Sequence, residues 1–479
     1  MVSLLRVKKP VRTASGVTVV AVMAMPYPCP HGRCIYCPGG PEFGTPQSYL
    51  KESPAAARAM HYNFDPYEQV RARIRQYIAM GHNPSKIELI VMGGTFPAMP
   101  LDYQEWFITM CLEAMNRFPK SKPRRWISLE SAQRRNEKAK IRCIGITFET
   151  RPDWSKEPQI DRMLWLGGTR VELGVQSIYD DVLERIQRGH KVKDTVEATQ
   201  LLKDAGFKVC YHVMPGLPGS DLDRDIEMFK TIFEDPDFRP DMLKIYPTLV
   251  IPGTKLYEMW KRGEYKPFTD EDAIELLVKV LPLIPKWVRI MRVQRDLPAL
   301  CIAAGVKKGN LREIALKELE KQGLKCREIR CREVGIRMIK TGEVPDPRDI
   351  KLLREDYEAS GGMEIFLSFE DVKRDILIGF LRLRIPSEKA HRWEVDENTA
   401  IVRELHVYGP QVPIGESFEP SWQHKGYGSK LLAEAERIAL EDYDCRRMLI
   451  ISGIGVRDYY RRRGYRRHPH STYMLKRLK

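Results

Sequence analysis

V-T-V-V-A-V-M-A-M, Val17 to Met25, runs through P-Y-P into C-P-H-G-R-C-I-Y-C, Cys29 to Cys37. The apolar, β-branched run predicts a buried strand, and the prolines that follow predict a loop at its C-terminal end. Three thiolates on one such loop, Cys29, Cys34 and Cys37, can hold three irons of a 4Fe-4S cluster and leave the fourth iron open to a small chelating molecule. The spacing C-x4-C-x2-C also suits a structural zinc completed by His31 or a distant ligand, and a cluster whose last ligand comes from elsewhere.

Working outward, strand-like and helix-like segments alternate as far as about Leu297. Asp65-Pro66 predicts a helix start, with Asp65 as N-cap and Gly81 as the stop. Strands are expected at Lys86 to Met92, Ile144 to Phe148, Val171 to Gln176, Val209 to Met214 and Met242 to Leu249, with helices such as Thr195 to Ala205 between them. That alternation predicts parallel βαβ units and an α/β partial barrel. In a barrel the chemistry gathers where the strands end. Special residues stand there: Gly93, Gly94 and Thr95; Glu149 and Arg151; Gln176 and Ser177; His212; Tyr246. Gly93 to Thr95 would offer main-chain groups to a ligand, because glycine lets one approach closely, and in a barrel that resembles the radical S-adenosylmethionine type this edge would hold the cofactor's amino group. Glu149 and Arg151 would meet its sugar or carboxylate, and Gln176 joins them as a candidate contact. A tight turn at the glycines and an exposed Glu149–Arg151 ion pair are the competing explanations.

The chain is long enough for two or three domains. It has no apolar stretch of membrane-spanning length and opens on a basic segment without an apolar core, so a cytoplasmic protein with no membrane partner is expected. Ten cysteines in 479 residues, three of them clustered, fit metal ligation better than a disulfide framework. A formal charge of +15 favours a polyanionic partner.

Residues 296–347 form a charged linker after the barrel of residues 1–295, and Cys326 and Cys331 within it are either half of a zinc site or buried free thiols. From 348 to 479 the pattern is an α+β domain with strands at Glu364 to Phe369, Ile376 to Ile385 and Ala400 to Tyr408. There follows Q-H-K-G-Y-G, Gln423 to Gly428, which opens an amphipathic helix from Ser429 to Leu440. Glycines at a helix start expose N–H groups at the positive end of the helix dipole and make a pyrophosphate seat. The order of strand, glycine loop, helix, strand Met448 to Ser452 and a tyrosine-bearing helix resembles a GNAT-type acetyltransferase. That resemblance implies acetyl-CoA on Leu405, His406 and Val407 and on Gln423, His424, Lys425, Gly426, Tyr427, Gly428 and Ser429. It also implies a tyrosine, Tyr459 or Tyr460, at the thioester. Basic side chains crowd two further runs, with Arg124, Arg125, Arg134 and Arg135 in one and Arg461, Arg462 and Arg463 in the other. Interleaved with aromatics, they suit RNA contact.

Both halves on one chain resemble the catalytic subunit of Elongator in its stand-alone archaeal or bacterial form. The resemblance is carried by V-R-T-A-S-G (Val11 to Gly16), C-I-Y-C-P-G-G-P (Cys34 to Pro41), E-T-R-P-D (Glu149 to Asp153), E-L-G-V-Q-S (Glu172 to Ser177), L-K-I-Y-P-T-L-V-I (Leu243 to Ile251) and R-E-L-H-V-Y-G (Arg403 to Gly409). It implies a radical S-adenosylmethionine barrel with a 4Fe-4S cluster, an electron donor, and a tRNA anticodon stem-loop as substrate, with a homodimer as a candidate assembly. The implied reaction places a carboxymethyl group on carbon 5 of the wobble uridine. The acetyl group must then join through its methyl carbon, which calls for a radical, so both cofactor sites are expected to open onto one shared cavity. A lysine acetyltransferase with a merely structural cluster is the alternative. Family members carry a basic extension ahead of V-R-T-A-S-G, and only ten residues precede it here, so weaker tRNA binding than in an extended form is expected.

Overall fold

The computed structural model describes residues 13–123, 125–409, 422–423, 425–468 and 470–479. Arg124 and His424 lie outside them, as do the first two residues of V-R-T-A-S-G. Seven strands build the first sheet: β1 (Thr18–Met23), β2 (Lys86–Met92), β3 (Arg142–Thr150), β4 (Arg170–Gln176), β5 (Lys208–Val213), β6 (Met242–Ile245) and β7 (Arg289–Val293). They pair in chain order, every pair parallel, with β1 and β7 at the edges, so the sheet is a partial barrel. Helices pack outside it. The Pro66–Ala79 helix begins where Asp65 accepts a hydrogen bond from the Glu68 amide at 3.2 Å, and it buries Val70, Ile74 and Tyr77 on its sheet-facing side.

The second sheet contains β8 (Ile350–Ala359), β9 (Gly362–Asp371), β10 (Ile376–Ile385), β11 (Thr399–Val407), β12 (Arg447–Ile450), β13 (Arg466–Arg467) and β14 (Met474–Arg477), in the spatial order 13-14-12-11-10-9-8. Only β11 and β12 run parallel, and they pair from Thr399–Arg447 to Val402–Ile450. β11 continues to Val407, so the two strands part beyond Val402. The Tyr427–Glu441 helix packs across β9, β10 and β11.

Buried charge joins the sheets. Arg403, on β11, donates to Asp241 just before β6 at 2.6 and 2.8 Å, to Glu364 on β9 at 2.7 Å and to the Phe207 carbonyl at 2.7 Å. Arg384 meets Asp204 at 2.6 Å, and all of these side chains are buried. Such pairs add little net stability relative to an apolar contact, but losing one partner strands a charge and costs about 3–5 kcal/mol.

Candidate active site

The Cys29–Cys37 loop leaves β1 at the C-terminal mouth of the barrel. Thr95 Oγ1 lies 3.7 Å from Cys29 Sγ, Arg188 Nη1 3.6 Å from Cys34 Sγ, and the Ser48 amide donates to Cys37 Sγ at 3.1 Å. Cys34 and Cys37 are buried and Cys29 is partly exposed, so one loop carries three free thiols beside the strand ends, and a 4Fe-4S cluster would take each on a different iron. Burial pushes the Cys37 thiol up to about 11, so a thiolate there needs a cation beside it. His31 approaches Cys34 Sγ at 3.2 Å, and burial together with Arg151 and Arg188 holds it down to about 3.

A cavity opens beside the loop. Cys29, Gly94, Thr95, Glu149, Arg151, Gln176, His212 and Tyr246 line it, so most of the strand-end residues picked out in the sequence converge. Gly93 supports from behind: its φ is +135°, and an added Cβ would sit 3.2 Å from Ala24 Cβ. Gln176 has φ +70°, a left-handed conformation that costs a non-glycine residue energy and places its side chain at the strand end. The exposed Glu149–Arg151 pair does not form. Glu149 accepts from Tyr49 Oη at 2.6 Å, while Arg151 is held by Asp153 at 2.9 Å and donates to the Arg188 carbonyl at 2.8 Å.

Sequence reasoning passed over Glu172 and Lys244, which form the floor of this cavity. Glu172 pairs with Lys244 and, at 3.0 Å, with His212 Nε2. Burial pushes the Glu172 carboxyl up, but Lys244, His212 and Arg170 outweigh it and hold it below the usual carboxylate range. A charge inside an otherwise apolar strand was the available signal in both cases.

A second cavity lies at the other mouth of the barrel, under the second sheet. Its walls include Glu88, Gly145, Arg170, Lys208 and Met242 from the strand starts, Val402 to His406 and Ile450 from the parted strands, and Tyr460. The expected single shared cavity is therefore two. Gly426, with φ +89°, turns the chain into the Tyr427–Glu441 helix, whose first turn has no side-chain cap. Tyr459 Oη would be 2.9 Å from a Cβ on Gly428 and makes no hydrogen bond, whereas the Tyr460 ring is buried. Gln423 is turned inward, accepting from Lys86 Nζ at 2.7 Å and donating to the Val407 carbonyl at 3.1 Å. His406 Nε2 lies 2.8 Å from the Ser15 carbonyl, and Lys425 Nζ sits over the Trp422 ring.

The basic runs are divided in use. Arg461 binds Glu137 at 2.7 Å across to the barrel, and Arg463 donates to Ser429 Oγ and stacks over Tyr459. Arg135 pairs with Glu113 and Arg134 with Glu130. Arg125 and exposed Trp126 line a shallow groove with Arg117, Lys122 and Arg135. Cys326, Cys331 and Glu328 do come within 4.8 Å of one another, but Glu328 already binds Arg312 and accepts from the Ile290 and Arg330 amides. No helix among the described residues is long and apolar enough to cross a membrane.

The chain matches the family models Radical SAM superfamily over residues 26–232, Radical_SAM C-terminal domain over 240–321 and Acetyltransferase (GNAT) family over 334–465. It is 59% identical to the tRNA uridine(34) acetyltransferase of Methanocaldococcus jannaschii over 96% of this chain and 84% of that protein. It is 48% identical to Elongator complex protein 3 of Homo sapiens over 98% of this chain and 86% of that one. The solved structure of archaeal Methanocaldococcus infernus Elp3 with an N-terminal deletion (1–46) superposes with a TM-score of 0.85, at 55% identity, covering 97% of this chain and all of the other.

Proposed function

Because the chain belongs to the family of Elongator complex protein 3 and the tRNA uridine(34) acetyltransferases, we propose that it modifies carbon 5 of the wobble uridine of tRNA, using S-adenosylmethionine and acetyl-CoA. One observation carries the reading. A three-cysteine loop and a parted strand pair with a glycine-opened helix stand at opposite mouths of one barrel. In this reading Cys29, Cys34 and Cys37 hold a 4Fe-4S cluster, which with S-adenosylmethionine supplies a 5′-deoxyadenosyl radical when bound. Gly94, Thr95, Glu149, Arg151 and Gln176 orient the adenosylmethionine, with Tyr49 and Lys244 fixing the Glu149 carboxylate. The N–H groups of Tyr427 and Gly428 seat the pyrophosphate of acetyl-CoA, with the Ser429 N–H held by the Gly426 carbonyl, and Leu405 to Val407 receive its arm. Tyr459, with its free hydroxyl beside Gly428, is the better candidate than Tyr460 to face the thioester. Arg125 and Arg462 are the cations best placed for RNA, since Arg461 and Arg463 are engaged in packing. Zinc at Cys326 and Cys331 forms no part of the reading, because Glu328 is already taken by Arg312. Acetylation of protein lysines is disfavoured by the position of the acyl-side cavity, which faces a barrel mouth and not an open peptide groove.

The test is anaerobic reconstitution with iron and sulfide, then incubation with unmodified tRNA, S-adenosylmethionine, acetyl-CoA and a reductant. Digestion and mass spectrometry should find 5-carboxymethyluridine. Unmodified uridine alongside acetylated lysine would reverse the conclusion.

A further inference from the structure

The two cavities reach into the barrel from opposite mouths, and little separates them. Along β4, Arg170 lines the acyl-side cavity and Glu172 the cysteine-side cavity; along β6 the pair is Met242 and Lys244. Two residues of strand span about 6.6 Å. On β3 and β5 one inward position intervenes, Thr147 between Gly145 and Glu149 and Cys210 between Lys208 and His212. Barrel interiors are normally packed with bulky branched side chains. Here Ala21 and Ile90 stand beside Thr147, and Thr147, Cys210 and a run of ion pairs make up the rest of the layer. Glu88 binds Arg170, and Glu172 binds Lys244 and His212. Among the described residues the two groups are linked by Arg170 Nη2 and Glu172 Oε1, 3.5 Å apart, and neither atom makes a hydrogen bond. Thr147 Oγ1 is buried without a partner as well.

We propose that this layer is a gate through which the acyl end of acetyl-CoA passes from the second cavity into the cysteine-side cavity. The proposal rests on the functional reading above, which requires the acetyl methyl to meet an adenosyl group seated at the far mouth. Opening needs only the Arg170–Glu172 contact to part. Arg170 keeps Glu88, and Glu172 keeps Lys244 and His212, so neither charge is stranded when it does. Thr147 and Cys210, with Gly145 below them, are the small side chains past which a two-carbon acyl group would move.

Chloroacetyl-CoA tests this on the protein without its cluster. A thiolate within reach displaces chloride and forms a carbon–sulfur bond, which peptide mass spectrometry locates. Met242→Cys, a shortening of the side chain, reports the second cavity, and Thr147→Cys, near-isosteric, reports the gate layer. Cys210 is the native reporter of the same layer, and because burial and the neighbouring Glu172 raise its thiol, both gate-layer positions are alkylated at elevated pH. Alkylation of both introduced cysteines is expected, with protection by excess acetyl-CoA, and adding Arg170→Ala should speed only the reaction at position 147. Alkylation of Met242→Cys with none of Thr147→Cys, with or without Arg170→Ala, would overturn the gate. An unreactive Met242→Cys would overturn the acyl seat and the gate with it, and the uridine assay then reports separately whether the activity stands.

Discussion

At the scale of single residues, the cysteine loop and the glycine loop make separable demands. Replacing Cys29, Cys34 and Cys37 together by Ser should abolish the uptake of about four irons per chain expected for one cluster, while acetyl-CoA binding persists. Iron analysis and the visible spectrum of the reconstituted protein check this, and full iron retention would contradict it. Gly428→Val acts at the other end of the molecule. Its Cβ would meet Tyr459 Oη at 2.9 Å, so the tyrosine must move where the acyl arm is expected to lie. Calorimetry should find acetyl-CoA affinity reduced at least about tenfold, equivalent to roughly 1.4 kcal/mol, with S-adenosylmethionine affinity unchanged.

At the scale of elements, the junction between β6 and β11 depends on Asp241. Asp241→Asn should cost about 3 kcal/mol in denaturant unfolding, the low end for a broken buried pair, because Arg403 and Arg382 lose one buried carboxylate and keep Glu364 and Glu404. Burial raises the Asp241 carboxyl, but Arg403, Lys203 and Arg382 outweigh it and hold it well below the usual range. A carboxyl lowered by folding stabilises above its unfolded pKa of about 3.9 and loses that contribution as the pH falls below it. The difference between wild type and Asp241→Asn should therefore be full at pH 6 and shrink in acid. Most of the elements were legible because they follow simple patterns: β1 to β5 are apolar runs, and the Pro66–Ala79 helix carries its cap and proline. β6 is shorter than its apolar run, since Tyr246-Pro247 ends it. β7 and β8 escaped notice because charges interrupt them: Arg289 and Arg292 in β7, of which Arg289 answers Glu333, and a mixed run of basic and acidic residues in β8, a mostly exposed edge strand. β13 has only two residues and owes its existence to β14. The strand-end residues of the site were legible as polar interruptions of apolar runs, whereas Glu172 and Lys244 each show only as a charge in an apolar strand, and their pairing across β5 needs the assembled sheet.

At the scale of the whole molecule, the charge of +15 and the groove around Arg125 and Trp126 predict tRNA binding that weakens steeply with salt. Arg125→Ala should lower the slope of log affinity against log salt by about one and weaken all tRNAs alike. An unchanged slope would remove Arg125 from the interface. The larger consequence of the proposed function is that acetyl-CoA and S-adenosylmethionine chemistry would meet through one barrel, and isotope transfer tests that most directly. Reconstituted protein is given acetyl-CoA with a trideuterated methyl group, unlabelled S-adenosylmethionine, tRNA and a reductant, and the released 5′-deoxyadenosine is weighed by mass spectrometry. Hydrogen abstraction from the acetyl methyl must leave one deuterium in 5′-deoxyadenosine and two in the modified uridine's new methylene. Unlabelled 5′-deoxyadenosine formed alongside normally modified uridine would contradict the account.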